Sequence, residues 1–181
     1  RQVRVTVPLE AGFDYASFRL GDAGFGGAEL VSGETIKVPL NRTSYDDGGT
    51  FYSGLGLYVQ YTAGIDPVAG VATFTFSTLG LDRQPPSNPS AGFLPVNDGT
   101  NRGTGYVTFS IKPKSDVASG ATMTAQASIV FDVNAPVPTN QATNRIDNQH
   151  PQSSVTPALE ILDTTHVRIH WSGQDDANGS G

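Results

Sequence analysis

Apolar residues at every second position, in one run after another, constrain this chain more than any other feature. Val3, Val5 and Val7 alternate with Arg4 and Thr6, and Leu55, Leu57, Val59 and Tyr61 alternate with Gly56, Tyr58 and Gln60. Phe74 and Phe76 sit between Thr73, Thr75 and Ser77; Val107, Phe109 and Ile111 alternate with Tyr106, Thr108 and Ser110; Ala125, Ala127, Ile129 and Phe131 alternate with Gln126 and Ser128. A period of two puts the apolar set on one face of an extended segment, so each run predicts a strand with one side on a core and one toward water. Residues 34–40 and 136–144 are weaker strand candidates. Between the runs lie "YDDGGT" (45–50), "NDGTNRGTG" (97–105) and "DVASGAT" (116–122), whose Asp-Gly and Ser-Gly pairs bend a chain sharply. The one helical hint is "DYASFRLG", where Asp14 is placed to cap a single turn carrying Phe18. The expected fold is therefore all-β, an antiparallel β-sandwich of immunoglobulin-like or jelly-roll-like kind. Its expected core is Val5, Leu57, Val59, Phe74, Phe76, Val107, Phe109, Ile129 and Phe131, and Phe131→Asp is expected to abolish folding.

Composition narrows the setting. With 21 Gly and 12 Pro among 181 residues, the chain is rich in the residues that turns need and helices reject. Lys plus Arg is 11 against 17 for Asp plus Glu, and a net charge of −6 repels phosphate backbones, which argues against nucleic acid as a partner. There is no apolar run long enough to span a bilayer as a helix and no signal-type segment at the start, and the first residue, Arg1, suggests a mature piece or a fragment. The absence of Cys excludes disulfides, Cys-ligated zinc and thiol catalysis. An acidic, Cys-free β-protein fits a bacterial extracellular setting, where calcium commonly replaces the disulfide as a cross-link.

Two features organise the chain beyond the strands. The Pro-rich stretch "LDRQPPSNPSAGFLPVNDG" (81–99) cannot be a core strand, because Pro donates nothing to a ladder, and reads as a crossover loop between sheets or as a binding loop. A boundary near "NRIDNQHPQSS" divides residues 1–147, the sandwich module, from 148–181, a linker and first strands of a further β-domain or an extension of the first. In that tail Val167, Ile169 and Trp171 share one face, with Trp171 expected in a core, and His166, Arg168 and His170 share the other. The two His are four apart, but on a strand four residues span roughly 13 Å, too far for one metal.

Catalytic signals are weak. No Gly-x-Ser-x-Gly elbow is present, and "GDAGFGG" lacks the Lys-Ser/Thr of a phosphate loop, so the chain is expected not to be an enzyme. Ligand signals are of two kinds. Asp132 and Asn134 in "FDVNAP", Asp147 and Asn148 in "IDNQHP", and Asp175, Asp176 and Asn178 in "GQDDANGSG" supply the oxygens calcium prefers, and a boundary Asp facing an Asp-Asp loop would stiffen a joint between neighbouring domains of the chain. Tyr52, Tyr58 and Tyr106 fall opposite the apolar residues of their strands, with Tyr45 and Phe51 flanking a turn, and exposed rings of this kind stack on the sugars of a polysaccharide.

The stretch "GTGYVTFSIKPKSDVASGATMTAQASIVFDVNAPVPTNQATNRIDNQHPQSSV", with "AGFLPVNDGTNRGTG" and "FRLGDAGFGG" before it, resembles the C-terminal part of a repeat module of very large secreted or surface bacterial proteins. "VRIHWSGQDDANGSG" is similar to the start of bacterial immunoglobulin-like or fibronectin-type repeats, and "DVNAP" and "IDNQHP" resemble incomplete forms of the cadherin linker. The resemblance implies a non-catalytic extracellular or cell-surface module in a multidomain protein, a spacer braced by calcium. The alternative is a carbohydrate-binding module attached to a polysaccharide-active enzyme.

Overall fold

The computed structural model describes residues 1–27, 33–88, 90–156 and 160–175. The alternating runs become antiparallel strands. In the larger sheet β1 (Gln2–Pro8), β7 (Val71–Leu79) and β6 (Leu57–Asp66) lie side by side. Next to β1 come β10 (Ser128–Phe131) and then β11 (Val137–Pro138), while β4 (Ser44–Asp46) and β5 (Thr50–Tyr52) share the far edge of β6. The smaller sheet has three strands, β3 (Glu34–Ile36), β2 (Phe13–Phe25) and β8 (Gly105–Pro113), with β2 in the middle. The architecture is an all-β, antiparallel β-sandwich, as the alternation predicts.

Register explains which side chains meet. Val3 faces Phe76 and Tyr61 faces Phe76 from the other side; Val5 and Ala63 flank Phe74 in the same way, and Val7 and Ile65 flank Ala72. These inward rows pack on Phe18, Leu20 and Phe25 of β2, so that Phe74 lies 5.7 Å from Phe109 and Phe25 lies 6.3 Å from Phe76 across the two sheets. The outward rows are polar, with Arg4 beside Thr75 and Thr6 beside Thr73.

Three expectations need correcting. The "DYASFRLG" stretch is strand, not a helical turn. Its partly or wholly buried residues run Phe13 and Tyr15, then Phe18 and Leu20, then Ala23 and Phe25. This is a period of two that slips by one residue twice, where the β2–β8 register shifts between Asp14 and Arg19 and between Leu20 and Ala23. Asp14 caps only locally, its Oδ1 accepting from Ala16 N at 3.1 Å, while Ser17 Oγ accepts from Lys112 N at 2.8 Å.

The second correction is that the run from Ala125 to Phe131 is not one strand. β9 (Thr122–Ala125) belongs to a two-stranded ladder with β12 (Ala142–Arg145), and the chain rejoins the large sheet only at Ser128. Ala127 N spends its hydrogen bond on Thr139 Oγ1 at 3.0 Å. The third concerns the core. Leu57, Val59, Phe74 and Phe76 are buried and Val5, Val107 and Phe109 are half-buried against them, but Phe131 is 38% exposed and Leu55 sits in a turn at 41%. Phe131 lies on the sheet's open side, where its ring is only partly covered.

The 81–99 stretch is the crossover from β7 to β8 and holds no strand among its described residues. It carries Phe93 into the core, 5.0 Å from Phe25 and 5.7 Å from Phe76, at 3% exposure.

The chain forms two compact units, residues 1–114 with 124–142 and residues 115–123 with 143–181. In the second, the 115–123 loop holds the outgoing chain: Gly120 N donates to Ile146 O at 2.7 Å, Ile146 N to Ala121 O at 2.8 Å, and Asn148 Nδ2 to Val117 O at 2.8 Å. Further on, β13 (Gln152–Val155) pairs with β16 (Trp171–Gln174) and β14 (Glu160–Ile161) with β15 (Val167–Arg168). Trp171 faces Val155 across its ladder but is 74% exposed, contrary to its expected core position, because a two-stranded ribbon has no opposing layer to cover it. His166 bonds Asp163 at 2.8 Å, and His170 lies 3.7 Å from Glu160.

Candidate functional site

The three candidate tyrosines occupy different surfaces. Tyr52 pairs with Leu57 and points inward, its ring 5.1 Å from Phe25 in an edge contact. Burial, with Asp47 and Glu34 adding to it, pushes its phenol up to about 12, so Tyr52 is not the exposed ring its strand position suggested. Tyr106 lies on β8 of the smaller sheet, opposite Gly24. Tyr58 points outward from the larger sheet and stands in a cluster that the alternation alone does not reveal. Phe51 faces it across β5 and β6 with ring centroids 5.1 Å apart, and the Arg83 guanidinium lies 3.7 Å over its ring.

Arg83 is fixed by more than the ring. Its Nη1 donates to Gly48 O at 2.8 Å and to Gly49 O at 3.0 Å, and its own backbone is left-handed at φ 62°. Gly49 has φ 87°, a conformation that favours glycine, and a Cβ there would stand 3.0 Å from Arg83 Nη1. Asp46 Oδ1 accepts from Gln60 Nε2 at 2.9 Å beside them. The result is an exposed, preorganised patch of one free ring edge, Phe51 at 46% exposure, with amide, carboxylate and guanidinium groups around it.

The acidic candidates separate as well. Asp132 and Asn134 line one recess of about 460 Å³ together with Asn97. Asp132 Oδ1 accepts from Gln2 N at 2.6 Å. Its φ of 54° shows what the residue does: it turns the end of β10 so that its side chain caps the start of β1. Asp147 and Asp175 belong to the second unit, where Asp147 Oδ1 accepts from Gln149 N at 3.3 Å and Asp175 lines a recess with His150 and Gln149. Asp176 and Asn178 lie outside the described residues. Among the described residues, no three His, Asp or Glu side chains gather as a metal site would require.

An apolar groove is the feature that residue-level reading missed. It holds about 410 Å³ and runs along the open side of the sandwich, between β8 of the smaller sheet and β1 and β10 of the larger. Val3, Val5, Ile129 and Phe131 form its floor, Phe93 one end and Val107 a wall. Its cause is arithmetic: a three-stranded sheet cannot cover a wider one. The sequence signal was present in the half-buried alternation of β1, β10 and β8, but the number of strands per sheet is not visible there.

Among the described residues no helix is long and apolar enough to cross a membrane. The profile of a family described as Domain of unknown function (DUF7619) matches residues 87–145. That stretch holds Phe93, Val107, Ile129 and Phe131 of the groove, and Asp132 and Asn134 beside it. No curated protein and no solved structure gives a significant match.

Proposed function

We propose that this chain is a non-catalytic structural module of a large multidomain bacterial protein, carried outside the cell or on its surface, and that its work is to space and stiffen neighbouring domains. The observation that carries this reading is the hydrogen-bonded exit of the chain, in which the 115–123 loop grips residues 146–148 at three points. A strand-like grip of this kind converts a would-be linker into a braced connector, because each main-chain bond removes backbone freedom that a hinge needs. Amide hydrogen exchange tests it. Gly120 and Ile146 amides are expected to exchange at least about tenfold more slowly than unpaired surface amides; exchange at the random-coil rate removes the brace. Antibody to the chain is expected to label intact, unpermeabilised cells.

Calcium bracing belongs to the same reading, with Asp147 and Asp175 of the second unit as its candidate ligands. Calcium at 100 times its Kd would stabilise that unit by ~2.7 kcal/mol. EDTA is then expected to lower the melting temperature, and Asp147→Ala to abolish the difference. An unchanged melting temperature removes calcium and leaves the spacer.

A second reading, carbohydrate binding, is favoured by the Phe51–Tyr58–Arg83 patch, where an exposed ring stands beside fixed hydrogen-bonding groups. Retardation in gels containing a neutral polysaccharide, lost in Phe51→Ala, would establish it. Tyr52 and Tyr106 are not part of that surface, and their substitution is expected to leave retardation unchanged.

A further inference from the structure

We propose that the groove on the open side of the sandwich accepts one extended strand of a second polypeptide, which adds to β8 and lowers alternate apolar side chains onto Val3, Val5, Ile129 and Phe131. Two independent features meet there. The first is an unpaired sheet edge. Among the described strands β8 pairs only with β2. Gly26 N donates to Thr104 O at 2.9 Å, which sets the phase of the ladder: Thr104 and Tyr106 face β2, and Gly105 and Val107 turn their N–H and C=O groups to the open side. The second feature is the apolar floor directly beside that edge, made of inward residues of β1 and β10 that no strand of the smaller sheet covers.

The occupant follows from what the site asks for. A small apolar molecule would fill the volume but leave the polar edge of β8 unmatched. The folded face of a second copy is too broad: 16 residues line the groove, whereas a stable interface engages about 20–30 a side. A single strand satisfies both features, because its main chain continues the ladder and its side chains, about 6.6 Å apart on one face, point into the groove. The edge is also guarded selectively. Lys112 near the end of β8 and Lys114 just past it stand where natural sheets repel incoming strands, while Gly105–Val107, the part of β8 that borders the groove, carries no charge.

The test uses the chain as it stands and two synthetic peptides, Lys-Thr-Val-Thr-Val-Thr-Val-Lys and the same peptide with every Val replaced by Ser. The Val peptide is expected to bind and to slow amide exchange at Gly105 and Val107 by at least about tenfold, and the Ser peptide to do neither. Phe131→Ser, at a side chain already partly exposed, is expected to keep the melting temperature within a few degrees and to weaken the Val peptide about tenfold or more. No binding at millimolar peptide overturns the proposal. So does binding without protection of Gly105 and Val107, which would make the groove a site for small apolar molecules, and so does peptide-independent protection in a sedimenting dimer, which would assign the edge to a second copy.

Discussion

At the scale of single residues, the interior is apolar but not fully matched. Asp47 Oδ2, Tyr61 Oη and Thr78 Oγ1 are buried without a hydrogen-bond partner. For Tyr61, burial and then Asp47 push the phenol well above its ordinary value, so it stays neutral at all physiological pH. Thr78 is 3% exposed and faces Val59 across the β6–β7 ladder. An unmatched buried hydroxyl costs about 1–3 kcal/mol, and valine has the same shape without it. Thr78→Val is therefore expected to raise stability by about 1 kcal/mol in urea unfolding; a fall would mean that the hydroxyl has a partner in solution. A surface pair sets part of the pH response. Lys37 Nζ donates to Asp22 Oδ2 at 2.6 Å and Val38 N to Oδ1 at 3.2 Å, which holds the Asp22 carboxyl low; the same carboxylate pushes the Lys37 ammonium up. The lowered carboxyl stabilises the fold above its unfolded value, about 3.9, and ceases to as pH falls through the folded one; the raised ammonium helps below about 10.4 and fails as pH rises beyond that. Asp22→Asn is expected to lower the melting temperature at pH 7 and to make its decline between pH 4 and 2 shallower (both bounds approximate). Parallel curves for the two proteins would remove the pair from the account.

Elements show where alternation suffices and where it fails. β1, β6 and β7 pair without irregularity, so the period of two in Val3–Val5–Val7, Leu57–Val59–Tyr61 and Phe74–Phe76 translates directly into buried faces. β2 hides the same pattern by slipping its phase twice, which makes the stretch around Phe18 read as a helical turn and leaves Leu20 and Phe25 outside any alternation, although all three are among the most buried residues. Phe93 was missed on different grounds: nothing in a Pro-rich stretch marks one ring as a plug, since only the gap between two sheets makes it one. The same blindness applies to Arg83, whose role depends on the left-handed turn that brings it over Tyr58. Legible loops and illegible loops thus differ in whether their work is local, as in the Asp66–Gly70 turn, or long-range. The crossover is long-range, and its removal should be felt in the core. Phe93→Ala is expected to cost about 3–5 kcal/mol, the range for a buried Phe truncated in a core, although the residue lies in a loop. Phe131→Ala, at a strand position of the same hydrophobicity, is expected to cost much less because the ring is partly in water. Equal costs in equilibrium unfolding would contradict the packing described for both.

At the scale of the whole molecule, burial is concentrated in one unit. The aromatic core belongs entirely to the sandwich, whereas Val155, Ile161, Val167, Ile169 and Trp171 of the second unit are 55–74% exposed. Hydrophobic burial is the main source of cooperativity, so the two units should not melt as one. The chain contains its own reporter for this, because Trp171 is its single Trp and lies in the second unit, while the sandwich is dense in Phe and Tyr. Trp171 emission is expected near that of free tryptophan and readily quenched by iodide, and it should change little through the transition that abolishes the near-ultraviolet circular dichroism of Tyr and Phe. Two probes with different midpoints signal separate transitions. If Trp171 fluorescence is blue-shifted, shielded from iodide and loses its signal at the same denaturant concentration as the tyrosine and phenylalanine bands, the second unit folds as part of the sandwich, and the braced connector becomes an internal contact of one larger domain.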